Sequence, residues 1–97
     1  MNARDILGWN LRELRVACGL SQERLALASG IDRAYVGRVE RGSENVTLAT
    51  LEAFAKVLGV PVARLFVEPE PNAPRPPALP PGRKRKADTP TVKPPAV

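Results

Sequence analysis

Apolar side chains along this chain recur at helical spacing, in short stripes broken by glycine and by small polar residues. Leu7, Leu11, Leu14 and Cys18 stand at i, i+4, i+7 and i+11, one face of a helix predicted over residues 2–18. Asn2 is placed to cap it, and Asp5 three residues on approximates a capping box. Cys18 is expected to be a small core residue at the end of that stripe. Trp9 falls off the stripe beside Arg12 and Glu13, as an aromatic covering the domain edge or as a contact for a partner.

Gly19 ends this first helix, and Leu20 packs under the turn. Ser21 then caps a second helix whose buried side is expected to hold Leu25, Ala26 and Ala28. Gly30 stops it, because glycine enters the left-handed conformation of a helix end without a Cβ clash. Asp32 caps a third helix over residues 33–41, with Val36 and Val39 turned inward and Gly42 closing it. Ser43, Glu44, Asn45 and Val46 form a polar loop. Thr47 caps a fourth helix carrying Leu48, Leu51, Ala55 and Leu58, with Phe54 and Val57 widening the apolar face up to Gly59. Residues 60–66 are predicted as a short fifth helix, with Pro61 in its first turn and Leu65 and Phe66 closing the core. The expected fold is an all-α, compact five-helix bundle over residues 1–67, close to the smallest size at which a domain folds alone.

Composition changes at residue 68. Ten of the eleven prolines fall in residues 68–97, almost without aromatic or branched apolar neighbours, so a disordered tail with polyproline-like stretches is expected. Fifteen Lys and Arg against ten Asp and Glu give a net charge of +5, of which +2 belongs to residues 1–67 and +3 to residues 68–97. The basic cluster Arg83, Lys84, Arg85 and Lys86 is either a solvated charge run or a flexible arm adding unspecific attraction to phosphates. With no histidine and one cysteine, neither an intrachain disulfide nor a zinc site of the usual kind can be built. No cofactor or metal is expected, no set of catalytic partners emerges, and an enzyme is not expected. No apolar run reaches the roughly 20 residues needed to span a bilayer, and the N-terminal residues do not form a signal peptide. A cytoplasmic protein is expected.

Two short helices joined by a tight turn, the second with arginines outward and valines inward, suit a DNA major groove. Ser21-Gln22-Glu23 opening the first, Ala26, Gly30-Ile31 in the turn, Val36, and Val39-Glu40-Arg41-Gly42 closing the second make this stretch closely resemble the Cro and phage-repressor type of helix-turn-helix. The likeness extends from about Leu11 to Phe66. It implies a lambda-repressor-like fold and a sequence-specific DNA-binding transcriptional regulator, such as a repressor or a controller protein. If the third helix enters the groove by its N-terminal end, Arg33 and Arg38 are the expected base readers, each able to bridge guanine O6 and N7. Ala34 would touch a thymine methyl, and Tyr35 would reach a phosphate or a base edge. Ser21, Gln22 and Glu23 at one helix N-terminus, with Arg41, Ser43 and Asn45 on the other side, would hold the DNA backbone. Glutamine at the position of Gln22 commonly meets the backbone or a base edge in proteins of this type.

The resemblance also pairs Glu40 with Arg15, fixing the first helix against the third. Proteins of this type mostly dimerise through their C-terminal helices, which here implicates Phe54, Val57, Val62, Leu65, Phe66 and Val67. A homodimer on an inverted repeat of double-stranded DNA is therefore expected. The competing reading is a protein-interaction module or antitoxin, in which the scaffold binds another protein and the tail contributes a contact. Asp32 departs from the Ser or Thr common at its position, and the tail is no part of the family pattern.

Overall fold

The computed structural model describes residues 1–70. It contains α1 (Ala3–Ala17), α2 (Gln22–Ser29), α3 (Arg33–Glu40) and α4 (Leu48–Leu58), followed by a 3₁₀ helix at Val62–Phe66. Each α-helix starts where a side-chain oxygen meets a free backbone N–H. Asn2 Oδ1 accepts from Asp5 N at 2.9 Å, Ser21 Oγ from Arg24 N at 3.0 Å, Asp32 Oδ2 from Ala34 N at 3.0 Å, and Thr47 Oγ1 from Thr50 N at 3.2 Å. Gly30 takes a φ of 72°, which turns the chain from α2 towards α3 within three residues.

The expected fifth α-helix is not formed, so the described residues carry four. Val62–Phe66 has no side-chain cap, and Arg64 N bonds back to the Pro61 carbonyl at 2.9 Å, the tighter i to i+3 register of a 3₁₀ helix. The tail expected over residues 68–97 lies, from residue 71 on, outside the described residues.

Leu11, Leu25, Val36, Phe54 and Leu65 form the centre of the core, drawn from all four helices and the 3₁₀ segment. Several core assignments need correcting. Cys18 is exposed, because it caps α1 at the point where the chain leaves the helix axis. Its thiol approaches the Leu58 carbonyl at 4.0 Å, and partial burial there pushes the thiol above its ordinary pKa. Ala28 is exposed on the outer side of α2. Leu48 is 75% exposed, because as the first residue of α4 it lies one turn ahead of Leu51, where burial begins. Phe66 remains 44% exposed, leaving Leu65 alone to close the core from that end.

Two packing features position α3. Gly8 in α1 faces the last turn of α3, where an added Cβ would come within 2.6 Å of the Val39 and Glu40 carbonyl oxygens. Only glycine allows the two backbones this approach. Asn10 is buried and fully used. The two hydrogens on its Nδ2 are shared among the carbonyls of Ile6, Leu65 and Val67 at 3.0, 3.0 and 2.8 Å, and its Oδ1 accepts from Arg64 Nη1 at 2.9 Å. The 3₁₀ segment is thus fastened to α1 by a side chain that satisfies carbonyls otherwise left bare.

Candidate nucleic-acid interface

Val36 and Val39 are buried against α1 and α2, which fixes the rotation of α3 about its axis. Arg33 and Ala34 in the first turn are thereby exposed, Tyr35 is half-buried against the core, and Arg41 is exposed at the C-cap. Arg38 lies between them. Its Nε donates to Glu44 Oε2 at 3.1 Å, and its guanidinium carbon stands 5.7 Å from the centroid of the Tyr35 ring. Glu44, in the loop after α3, is therefore a direct neighbour of a proposed base reader. A loop carboxylate six positions away carries no periodic signal, and sequence reasoning missed it.

The angle between α1, α2 and α3 is held by one buried carboxylate. Glu40 Oε2 accepts from Arg15 Nε at 2.6 Å, while Oε1 accepts from Arg15 Nη2 at 3.1 Å and from Gln22 Nε2 at 3.0 Å. Arg15 Nη1 donates to the Leu20 carbonyl at 2.8 Å, tying in the turn before α2. The side chains of Arg15 and Glu40 are 5% and 2% exposed, so this forked pair works in a medium where charge-assisted hydrogen bonds are strong. Gln22, expected at the DNA backbone or a base edge, spends one N–H on Glu40 and keeps its Oε1 close to Gly37.

The remaining proposed backbone contacts surround α3. Ser21 and Glu23 are exposed at the start of α2, although the Ser21 hydroxyl already caps that helix. The Arg41 guanidinium lies over Gly37, where an added Cβ would stand 3.3 Å from Nη1. Ser43 is exposed and donates through Oγ to the Arg38 carbonyl at 3.2 Å, and Asn45 is exposed in the same loop. Arg33, Arg38 and Arg41 thus frame the exposed side of α3, with the first turn of α2 beside them.

The residues assigned to a subunit contact divide into two sets. Phe54 and Leu65 are both 0% exposed and belong to the core, because α4 and the 3₁₀ segment turn these side chains towards α1. They have no surface to offer a second copy. Val57 and Val62 are partly buried, and Phe66 and Val67 are exposed. Among the described residues there is no group of three or more His, Cys, Asp and Glu placed to hold a metal ion, and no helix is long and apolar enough to cross a membrane.

The chain is similar to known proteins. Control protein C.SmaI of Serratia marcescens is 48% identical over 66 residues, spanning 68% of this chain and 79% of that one. Control protein C.BamHI of Bacillus amyloliquefaciens is 38% identical over 60 residues, 61% of this chain and 74% of its own. Among solved structures, the restriction-modification controller protein C.AhdI from Aeromonas hydrophila is 51% identical with a TM-score of 0.64, covering 65% of this chain and 96% of that one. A helix-turn-helix profile matches residues 11–65, more than half the chain, and on that match, with α2, its turn and α3 inside it, the chain belongs to the helix-turn-helix family.

Proposed function

We propose that this chain is a DNA-binding transcriptional regulator of the controller or repressor kind, with a lambda-repressor-like arrangement, that lays α3 in the major groove. The observation that carries this reading is the exposed side of α3. Arg33 and Arg41 are exposed there, while the valines of the same helix are locked into the core. Arg33 and Arg38 act as base readers, Ala34 meets a thymine methyl, and Tyr35 supports Arg38 from the flank. Ser21, Gln22, Glu23, Arg41, Ser43 and Asn45 lie along the DNA backbone, where contacts set register and carry little sequence information. No enzymatic step is assigned to it, and its place of action is the cytoplasm.

One α3 reads only a few base pairs. Useful selectivity among a genome's competing sites takes two such helices about 34 Å apart, one helical turn of DNA. The dimer is proposed to form through Val57, Val62, Phe66 and Val67, a contact that removes the exposed Phe66 and Val67 at the end of the 3₁₀ segment from water. The test is recovery of bound fragments from random-sequence DNA. Enrichment of an inverted repeat whose half-sites lie about 10 base pairs apart supports the reading. Recovery of no common sequence contradicts it.

The basic residues within 68–97 are proposed to add unspecific attraction to DNA phosphates. The full chain should then show a steeper fall of affinity with salt than a chain ending at Val67, by about one unit of log–log slope per phosphate these residues neutralise. Equal slopes would leave them without a role in DNA binding.

A further inference from the structure

Glu44 sits where a DNA-binding surface is poorly served by a negative charge, yet its side chain is only 24% exposed and its carboxylate meets Arg38. It takes only Nε of that guanidinium, at 3.1 Å. Among the described residues, Nη1 and Nη2 of Arg38 make no hydrogen bond and remain as a two-pronged donor edge. The guanidinium carbon lies over the Tyr35 ring, one helical turn earlier, at 5.7 Å from its centroid. A long, flexible side chain is therefore held at two points, with the edge that matches guanine O6 and N7 left open.

We infer that Glu44 is a positioning residue for base reading, fixing Arg38 between its own carboxylate and the Tyr35 ring so that only the Nη edge faces the DNA. This rests on the proposal that α3 reads bases. Two effects follow from one contact. The guanidinium enters the groove already oriented, so less rotational freedom is lost on binding. The carboxylate also repels phosphate, so Arg38 gains little by swinging out to the backbone of an unrelated sequence. Glu44 raises the difference between right and wrong DNA from both sides, by orienting Arg38 for the right one and by lowering affinity for the wrong one.

The experiment compares the full chain with its Glu44→Ala, Glu44→Gln, Arg38→Ala and Arg38→Ala/Glu44→Ala variants. Each binds the duplex that the unaltered chain recovers from random DNA, the same duplex with every base pair exchanged in turn, and a scrambled duplex of equal length. Glu44→Ala should bind the scrambled duplex more tightly and lose about 10-fold in discrimination at the base pair where Arg38→Ala also loses it, with other positions unchanged. Glu44→Gln, which keeps an acceptor for Nε but no charge, should retain most of the discrimination at that base pair while binding the scrambled duplex more tightly. In the Arg38→Ala background, removing Glu44 should change discrimination nowhere. Tighter binding to every duplex alike, with discrimination intact, overturns the inference while leaving α3 as the reader. An Arg38→Ala variant that binds all duplexes as the unaltered chain does overturns the base-reading proposal, and this inference with it.

Discussion

The Arg33→Ala/Arg38→Ala double variant should bind its selected duplex at least 30-fold more weakly than the unaltered chain and approach its own affinity for scrambled DNA. Each bidentate arginine–guanine contact is worth about 1–3 kcal/mol of discrimination, so two per recognition helix give about 2 kcal/mol even at the low end. A symmetric dimer loses them twice. The fold should survive the change. Arg33 is exposed, and the partners of Arg38 are a partly exposed carboxylate and a ring face at the surface. Exposed ion pairs of that kind contribute about 0–1 kcal/mol to stability. Fluorescence anisotropy with the selected and scrambled duplexes, beside a urea unfolding curve, separates lost recognition from lost structure. Unchanged specific affinity in a folded double variant would remove α3 from the DNA contact.

Glu40→Ala should be strongly damaging to folding, lowering stability by about 3–5 kcal/mol. Three donors, Arg15 Nε, Arg15 Nη2 and Gln22 Nε2, lose their acceptor together. A guanidinium whose side chain is 5% exposed is then left without its counter-charge. Small domains carry roughly 0.05–0.15 kcal/mol of stability per residue, so this loss takes a large share of what holds residues 1–67 folded. Equilibrium urea unfolding checks it, with Glu52→Ala on the exposed side of α4 as the surface control expected within about 0.5 kcal/mol of the unaltered chain. Near-equal midpoints for Glu40→Ala and Glu52→Ala would contradict the role given to the buried fork. The two predictions touch different layers of one device: the buried fork sets the direction of α3, and the exposed arginines use it.

Helix starts are legible in this chain because caps are local. Asn2, Ser21, Asp32 and Thr47 each act within three residues of themselves, and short-range chemistry of that kind survives any tertiary context. The buried sides of α1 and α3 are legible for a related reason, since Leu7, Leu11, Val36 and Val39 repeat at the helical period. Legibility fails where a stripe runs past the end of its neighbours. Cys18 and Leu48 continue the apolar pattern in sequence but fall at a helix terminus, where both remain exposed. Phe54 and Leu65 show the converse. An apolar surplus near the end of a small domain looks the same whether it closes the core or faces a partner, and only the packing of α4 and the 3₁₀ segment against α1 assigns both to the interior.

The residues missed in sequence are those whose partners lie beyond one helical turn. Asn10 looks like an unremarkable position on α1 until its amide is seen to hold the carbonyls of Leu65 and Val67. Gly8 looks like a weakness in a helix until the backbone of α3 is found against it. Glu44 reads as loop charge until Arg38 is placed beside it. None of these three has a neighbour within a helical turn that reveals its purpose. Each becomes intelligible only through contacts made by the folded chain.

The most direct test of α3 as the reading element is a position-by-position comparison of the unaltered chain and Arg33→Ala on the selected site, exchanging each base pair in turn. The expected result is that discrimination collapses at one base pair in each half-site and is kept everywhere else. A uniform weakening at all positions, with every preference preserved, would show Arg33 to be a phosphate contact and would contradict base reading by the first turn of α3.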